Sequence, residues 1–353
     1  MSALPVVPFC KLADPAKYVS CGWDLTVDES GRSHWVEFFK RHLNTLLKLG
    51  IEAASSKEEA ENRAAACREE FCAAFDAFAA NPSGYGPVTI LTLDQWRDGL
   101  LRKWEFIDPF AQLKRRENEK MLPLVSAVCR EIDLLRGAEQ FEALIRGLFA
   151  GNIFDMGADA TAKAFLGASP DFFAVRANVV KRPWLIDDFD ALCARMIDGP
   201  VHRKAVFFVD NAGSDFLLGA MPMIRWLAKR GTRVVLAANE RPTLNDMTIA
   251  EVREWWPRIV QAEPSIGELP IELVSTGTGE PLIDLAAISP ELNAASADAD
   301  LIILEGMGRG VESNLDAKFS CDAVNLAMIK DTGVAQRYHG KVYDVVCQFR
   351  RKA

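Results

Sequence analysis

Long apolar runs are missing from this sequence of 353 residues. None reaches the ~18–20 consecutive apolar residues that a membrane-spanning helix needs. The N-terminus also lacks a basic segment followed by an apolar core, so we expect no signal peptide. Apolar residues make up 49% and charged residues 25% of the chain, and this composition excludes disordered and fibrous classes. We therefore expect a cytoplasmic protein of one large or two ordinary domains.

Excess positive charge is absent as well. Lysine and arginine number 41 against 49 acidic residues, which gives a net charge of -8. Nucleic-acid binding needs a clustered basic surface, so no nucleic-acid partner is expected. The sequence has eight cysteines but no Cys-x-x-Cys pair, and only four scattered histidines. This pattern predicts reduced, mostly buried thiols and no zinc site.

The two halves of the sequence differ in hydrophobic pattern. In the first half, apolar residues recur at helical spacing and predict helices over 34–49, 57–80, 92–103, 114–137 and 139–149. In the second half, short β-branched runs predict strands over 205–209, 232–237, 271–275, 301–304 and 342–346. Helices are predicted between them, over 216–230, 246–256 and 321–329. Alternating strands and helices indicate an α/β fold with a mostly parallel sheet.

Polar residues follow the predicted strands, where open α/β sheets bind their ligands. Asp210 and Asn211 come directly after one strand, and Asp246 follows its neighbour along the chain. Their oxygens suit Mg²⁺ or Mn²⁺, and adjacent strand ends are close enough to share one ion. Gly213 lets the chain turn into a helix whose N–H groups could bind phosphate. Helix capping by Asp210, Ser214 or Asp246 is the structural alternative.

Three further segments carry candidate residues. Glu305-Gly-Met-Gly-Arg309 follows a strand, and its glycines would let the backbone approach a ligand closely while Arg309 contacts an anion. Lys330 would either end a helix favourably or bind phosphate. Asn152 and Asp155 lie between glycines and would either form a turn or reach into a cleft between the halves.

Five sequence strings together resemble one family. They are GNIFDMGA at 151–158, KRPWLIDD at 181–188, FVDNAGSD at 208–215, RGTRVVLAANERPTLND at 230–246 and DADLIILEGMGRGVESNLDAKFSCD at 298–322. The chain resembles the damage-control phosphatases, once called domain of unknown function 89. Its Glu-Gly-Met-Gly-Arg motif is similar to that of the second subfamily, which includes stand-alone plant proteins and the C-terminal domain of the fourth pantothenate kinase. The resemblance is strong from about residue 144 to residue 349 and weaker before residue 110.

This resemblance implies a three-layer α/β/α sandwich, here preceded by a helical portion over 1–150. It implies a phosphatase that depends on Mn²⁺, Co²⁺, Ni²⁺ or Mg²⁺ and acts on 4′-phosphopantetheine and its oxidised or damaged forms. The metal ligands would be Asp210, Asn211 and Asp246, and Lys330 would bind phosphate. Glu305 and Arg309 would order the loop or orient substrate, with Asn152 and Asp155 as further substrate contacts. Since no kinase region is read before the phosphatase region, we expect no pantothenate kinase activity.

Several alternatives stay open at this level. Attack on phosphorus could come from water or from an aspartate, Asp210 or Asp246. The chain could instead be a sugar-phosphate phosphatase, a methyltransferase, or a non-catalytic protein that binds a pantetheine metabolite. A homo-oligomer is also compatible with the sequence.

Overall fold

A seven-stranded sheet forms the centre of the protein. The structure, a computed structural model, describes residues 5–153 and 172–352. The strands are β1 (Ile186–Asp187), β2 (Lys204–Phe208), β3 (Arg233–Ala238), β4 (Ile271–Ser275), β5 (Leu301–Glu305), β6 (Asp322–Met328) and β7 (Val345–Arg350). Their order is β1-β7-β6-β5-β2-β3-β4, and every neighbouring pair is parallel except β6 with β7. The predicted mostly parallel sheet is confirmed.

Twelve α-helices lie within the described residues. They are α1 (Glu29–Ala53), α2 (Lys57–Ala80), α3 (Ile90–Lys103), α4 (Ala111–Met121), α5 (Val125–Leu134), α6 (Gly137–Ile153), α7 (Phe172–Asn178), α8 (Phe189–Ile197), α9 (Met221–Lys229), α10 (Ile249–Ala262), α11 (Pro290–Ala295) and α12 (Thr332–Arg337). Side-chain caps fix several of their starts, since Asp28 and Ser56 accept hydrogen bonds from the first turns of α1 and α2. Thr248 and Glu251 form a capping box at the start of α10.

Both faces of the sheet are covered. Along β2, Ala205 and Phe207 join a core cluster with α5, α6, α8, α9 and α10. The alternate residues Val206 and Phe208 join a second cluster with Phe9 and the segment around α11. Period-two alternation of side chains thus puts apolar residues on both faces, as expected for a central parallel strand. This arrangement forms the three layers of the α/β fold.

Aromatic side chains join the helices before residue 110 to one another. Phe39, Phe71, Phe75, Phe78 and Trp96 are in ring contact with one another across α1, α2 and α3. The same apolar cluster includes residues of β6 and β7 and the segment after β5. The N-terminal helices therefore pack against the end of the sheet where β5 and β6 finish. The division of the chain at residue 150 stays a prediction.

One predicted helix is wrong. Within the predicted helix 321–329, residues Asp322–Met328 form the buried strand β6, paired with β5 and β7. All seven residues of β6 are buried, including the polar Asp322 and Asn325, so no alternation of apolar and polar residues distinguishes this strand from a buried helix. Consequently Lys330 follows the carboxyl end of a strand and does not end a helix. The final strand also starts later than predicted, at Val345, and runs antiparallel to β6.

All eight cysteines are free thiols. Within the described residues, no helix is both long and apolar enough to cross a membrane.

Candidate functional site

The carboxyl edge of the sheet gathers the polar residues that the sequence analysis singled out. Asp210 and Asn211 follow β2, Glu305 ends β5 and Lys330 follows β6. Asp246 is brought beside β2 because Asn211 and Asp246 form an isolated backbone bridge. Neighbouring hydrogen bonds hold this bridge, from Ala212 N–H to the Asn245 carbonyl at 2.8 Å and from Met247 N–H to the Asp210 carbonyl at 2.9 Å.

Asp246 does not cap the helix that follows it. Thr248 is the cap residue of α10, and its hydroxyl accepts a hydrogen bond from the Glu251 N–H. The carboxylate of Asp246 instead accepts hydrogen bonds from Arg309 Nη2 at 2.6 Å and from Asn239 Nδ2 at 3.1 Å. The helix-capping alternative for Asp246 is therefore excluded by the observed contacts.

Arg309 joins Asp210 to Asp246. Its Nη1 donates to Asp210 Oδ1 and to the Pro281 carbonyl, while Nη2 donates to Asp246. Burial opposes the charge of this side chain, but Asp246 and Asp210 outweigh burial and raise the pKa of Arg309 above its usual value. Asp210 and Asp246, which were predicted to bind one metal ion together, thus already share the positive charge of Arg309.

A second group of carboxylates lies on the other side of Asp210. Oxygens of Asp210, Asp215 and Glu305 are all within 4.8 Å of one another, and all three residues are buried. The amide of Asn152, at the end of α6, donates to Asp215 at 2.8 Å, to Glu305 at 3.1 Å and to Asp210 at 3.2 Å. Asn211 Nδ2 donates to Asp210 and to Asp215, each at 2.9 Å.

Clustered carboxylates in a buried place hold their protons tightly. Burial, followed by repulsion from Asp210, raises the pKa of Asp215 to about 6, although Lys330 opposes the shift. Burial, then Asp215 and Asp210, raise the pKa of Glu305 well above its usual value. The site is therefore short of positive charge.

The donor set fits a hard divalent cation. The buried side-chain oxygens that have no hydrogen-bond partner in the described part of the chain include Asn152 Oδ1, Asp215 Oδ1, Asn245 Oδ1 and Glu305 Oε2. Four acidic side chains (Asp210, Asp215, Asp246, Glu305) meet two basic ones (Arg309, Lys330). If all are ionised, two negative charges remain, which one divalent ion would balance. Carboxylate and amide oxygens are the ligands that Mg²⁺ and Mn²⁺ prefer.

A cavity of about 420 Å³ opens onto only part of this polar group. Asp210, Asn211, Asp246 and Lys330 line it. Among the described residues, its lining does not include Asp215, Glu305, Asn152 or Arg309, so these four lie behind Asp210 as seen from the cavity. The predicted metal ligands are thus the ones that a substrate could reach.

The N-terminal helices also line the cavity. The α1 residues Trp35, Phe38 and Phe39 and the loop residues Leu244, Leu282 and Met307 supply apolar lining, and α1 adds the polar side chains of His34 and Arg41. Asp94 and Arg97 of α3 add a buried ion pair with Arg97 Nη1 at 2.6 Å from Asp94 Oδ1. Burial raises the pKa of Asp94 to about 7 even though Arg97 opposes the shift. Arg97 also donates to Thr243, in the loop that carries Asp246, at 3.0 Å.

Two predicted site residues have different outcomes. The N–H of Gly213 donates to Asn118 Oδ1 at 2.7 Å, so the protein itself uses the group that was expected to bind phosphate. Asp155 lies outside the described residues. Conversely, Asp215, Asp94 and Arg97 were not predicted as site residues. Asp215 is part of the FVDNAGSD string, which could have pointed to it. Asp94 and Arg97 lie in the amphipathic helix α3, where nothing in the local sequence marks them as site residues.

The fold and the site together define a class of protein: a mostly parallel α/β protein with an acidic centre at the carboxyl edge of its sheet, next to a cavity of about 420 Å³. The family model for the damage-control phosphatase ARMT1-like domain matches residues 43–346. This chain belongs to that family.

Curated relatives agree with this family. The chain is 37% identical over 323 residues to a damage-control phosphatase of Arabidopsis thaliana, covering 89% of this chain and 87% of the relative. It is 34% identical over 373 residues to pantothenate kinase 2 of the same plant, covering 97% of this chain but 41% of the relative. It is 30% identical over 400 residues to the 4'-phosphopantetheine phosphatase of Mus musculus, covering 98% of this chain and 48% of that protein.

The fold has a counterpart among solved structures. A crystal structure of a DUF89 family protein from Pyrococcus horikoshii matches 93% of this chain and 99% of its own, with a TM-score of 0.63 and 17% identity. The expected family fold is confirmed by this likeness.

Proposed function

We propose that this chain is a metal-dependent phosphomonoesterase that hydrolyses 4′-phosphopantetheine and its oxidised forms. Membership of the damage-control phosphatase family supports a phosphatase. The similarity to a relative named 4'-phosphopantetheine phosphatase supports the substrate. The structural observation that carries the proposal is one cavity lined by Asp210, Asn211, Asp246 and Lys330.

Within this proposal, Asp210, Asn211 and Asp246 hold the metal ion. They line the cavity, whereas Asp215 and Glu305 lie behind Asp210. Arg309 contacts both Asp210 and Asp246, which supports the idea that these two carboxylates favour a positive charge between them. Asn211 Nδ2 donates to Asp210 and Asp215, so the amide oxygen, Oδ1, is the atom that Asn211 would offer to the ion.

The other polar residues have supporting roles. When bound, a divalent ion would neutralise charge that develops on the phosphoryl oxygens. Lys330, which is buried beside this group, contributes a point charge for the remaining oxygens. Asn152 and Arg309 donate hydrogen bonds to Asp210 and hold it in place, and Glu305 accepts a hydrogen bond from the same Asn152 amide. None of the three needs to touch substrate. Asp155 remains a proposed substrate contact.

The size and the lining of the cavity suit a small, partly apolar substrate. At about 420 Å³ the cavity lies in the usual size range of small-molecule sites. Trp35, Phe38 and Phe39 add aromatic surface to the cavity that Asp210 and Asp246 also line. This aromatic surface suits a substrate with an apolar portion, such as a pantetheine-like ester.

The test is phosphate release by metal-stripped protein to which Mn²⁺, Co²⁺, Ni²⁺ or Mg²⁺ is restored. The substrates are 4′-phosphopantetheine, its sulfonate, fructose 1-phosphate and p-nitrophenyl phosphate. We expect metal-dependent turnover with preference for the pantetheine esters. Asp210→Asn should abolish most turnover, and Asp316→Asn, at a side chain that is 99% exposed, is the matched control.

Other outcomes decide against parts of the proposal. Preference for fructose 1-phosphate would replace the substrate assignment with a sugar-phosphate phosphatase. Binding of 4′-phosphopantetheine without turnover under any of the four metals would replace the enzyme with a binding protein.

A further inference from the structure

The cavity contains a histidine–aspartate pair that the metal site does not use. His34 of α1 and Asp331, at the start of α12, both line the cavity together with Lys330. We propose that His34, oriented by Asp331, is the general acid that protonates the leaving oxygen of the ester. This assignment rests on the proposed phosphatase function and adds a catalytic residue to it.

The imidazole is held by a carboxylate that is itself fixed. His34 Nε2 lies 3.0 Å from both Asp331 Oδ1 and Asp331 Oδ2. Asp331 Oδ1 also accepts hydrogen bonds from the N–H groups of Gly333 at 2.7 Å and Val334 at 3.0 Å. Because these two N–H groups anchor the carboxylate at the first turn of α12, the carboxylate can in turn fix the orientation of the imidazole.

Close packing also holds the ring. A Cβ atom on Gly333 would lie 2.7 Å from His34 Cδ2 and 2.8 Å from His34 Nε2, well inside van der Waals contact. The Trp35 ring meets the imidazole edge to face, with centroids 5.2 Å apart and planes at 80°. The absence of a side chain at Gly333 therefore creates the space in which the ring edge sits.

This arrangement leaves one ring nitrogen for chemistry. Nε2 is engaged by Asp331, and no hydrogen bond of Nδ1 is found among the described residues. In the imidazolium form, Nε2–H donates to Asp331 and Nδ1–H remains to be given away. Histidine is the side chain that most often acts as a general acid in enzymes, and His34 is the one histidine in the described lining of this cavity.

The location suits a proton donor to the leaving group. Lys330, the proposed phosphate contact, is the immediate chain neighbour of Asp331. Asp210 and Asp246 line the same cavity from the sheet side, while His34 enters it from the N-terminal helices. A phosphate ester with its phosphoryl group at the sheet edge would thus have its organic part towards α1, where His34 lies.

The step balances without any further reagent. Water attacks phosphorus, the bond from phosphorus to the ester oxygen breaks, and its electron pair stays on the leaving oxygen. That oxygen takes the proton from His34 Nδ1, so an alcohol leaves and the imidazole becomes neutral. The attacking water keeps one hydrogen as the phosphate hydroxyl and loses the other as a proton, which returns the imidazole to its charged form.

Leaving-group dependence tests this role. An alkoxide is a poor leaving group and needs the proton, whereas p-nitrophenolate leaves readily without it. General acid catalysis contributes ~10²–10⁴-fold. We expect His34→Gln to lower kcat for 4′-phosphopantetheine by about that factor and to lower kcat for p-nitrophenyl phosphate much less. Asp331→Asn and Gly333→Ala should give smaller losses with the same dependence on the leaving group.

The controls separate this proposal from a structural role and from the proposed function. His339→Asn changes an exposed histidine that does not line the cavity, and both activities should persist in that variant. Equal losses on the two esters in His34→Gln would overturn the general-acid role in favour of positioning, and no loss on either would overturn it outright. If the wild-type chain hydrolyses p-nitrophenyl phosphate but no alkyl ester, the general-acid role fails while phosphatase activity stands. If it hydrolyses neither, the proposed function fails and this role fails with it.

Discussion

Gly306 lies directly against the carboxylate of Asp210. A Cβ atom at position 306 would be 2.2 Å from Asp210 Oδ2 and 2.4 Å from its Cγ. Gly306 also has φ +98°, a backbone conformation that other residues rarely adopt. The first glycine of the Glu-Gly-Met-Gly-Arg motif thus makes room for the aspartate on the neighbouring strand end, which explains why glycine is needed there.

Gly306→Ala should therefore inactivate the protein. The added methyl group must displace the Asp210 carboxylate, and a misplacement of ~1 Å at a reacting centre can cost ~10²-fold in rate. We expect a fall of at least that order in metal-dependent phosphate release, with a smaller loss of stability from the strained backbone. Gly86→Ala is the control, because a Cβ there would meet nothing within 4 Å. Unchanged kcat in Gly306→Ala would contradict the predicted role of Asp210.

Asp246 and Asp215 should differ in their effect on metal binding. Asp246 lines the cavity with Asp210, whereas Asp215 lies behind it. We expect Asp246→Asn to weaken Mn²⁺ binding at least ~10-fold, in the range found when a metal site loses a supporting group. Asp215→Asn should weaken it less. Titration calorimetry on metal-stripped protein measures both, and the reverse ranking would move the ion to the Asp210–Asp215–Glu305 group.

Much of the architecture could be predicted from the sequence because its elements have clear periods. The helix 57–80 and the strand 271–275 match the structure residue for residue. The strand 322–328 is predicted as a helix, although the equally buried strands β2 and β5 are predicted correctly. Valine, isoleucine and phenylalanine mark β2 and β5 as strands, whereas 322–328 is rich in alanine, leucine and methionine, which favour helices. Local pattern therefore fails where a buried strand is built from residues with helical propensity.

The site could be predicted in part for a related reason. Residues that follow strand ends, such as Asp210 and Glu305, are found by position alone. His34, Asp94 and Arg97 come from helices far away in the chain, and only tertiary packing brings them to the cavity. The glycines of the 305–310 segment were expected to approach a ligand, but Gly306 approaches Asp210. The spacing of the glycines shows that a small residue is needed at position 306, but it does not show which neighbouring side chain requires it.

The metal-free protein should become less stable as pH rises through the range in which Asp215 ionises. The folded pKa of Asp215 is about 6 against an ordinary value of 3.8, so between those values the folded state binds more protons than the unfolded state. Stability then falls with rising pH over this interval. Glu305, whose pKa is also raised, extends the effect to higher pH.

The measurement for this prediction is the difference in melting temperature between wild type and Asp215→Asn, each metal-stripped, from pH 4 to pH 8. We expect the melting temperature of Asp215→Asn to increase relative to that of the wild type as pH rises, because an amide carries no charge to bury. Excess Mg²⁺ or Mn²⁺ should reduce the gain, since a cation stabilises the ionised carboxylates. A difference that stays constant with pH would show that Asp215 does not titrate in this way.

Arg97 should be among the costliest single residues to lose. It is 1% exposed and pairs with Asp94 at 2.6 Å and Asp98 at 2.8 Å, so Arg97→Met leaves two buried carboxylates without their counter-charge. Breaking a buried ion pair from one side typically costs ~3–5 kcal/mol, measurable by urea unfolding. Adding Asp94→Asn should recover part of the loss, because it removes one of the uncompensated charges. Arg203→Met, at a side chain that is 77% exposed, should change stability by less than ~0.5 kcal/mol. If the double variant is no more stable than Arg97→Met, the loss arises from packing and from the lost hydrogen bond between Arg97 and Thr243, not from unpaired charge.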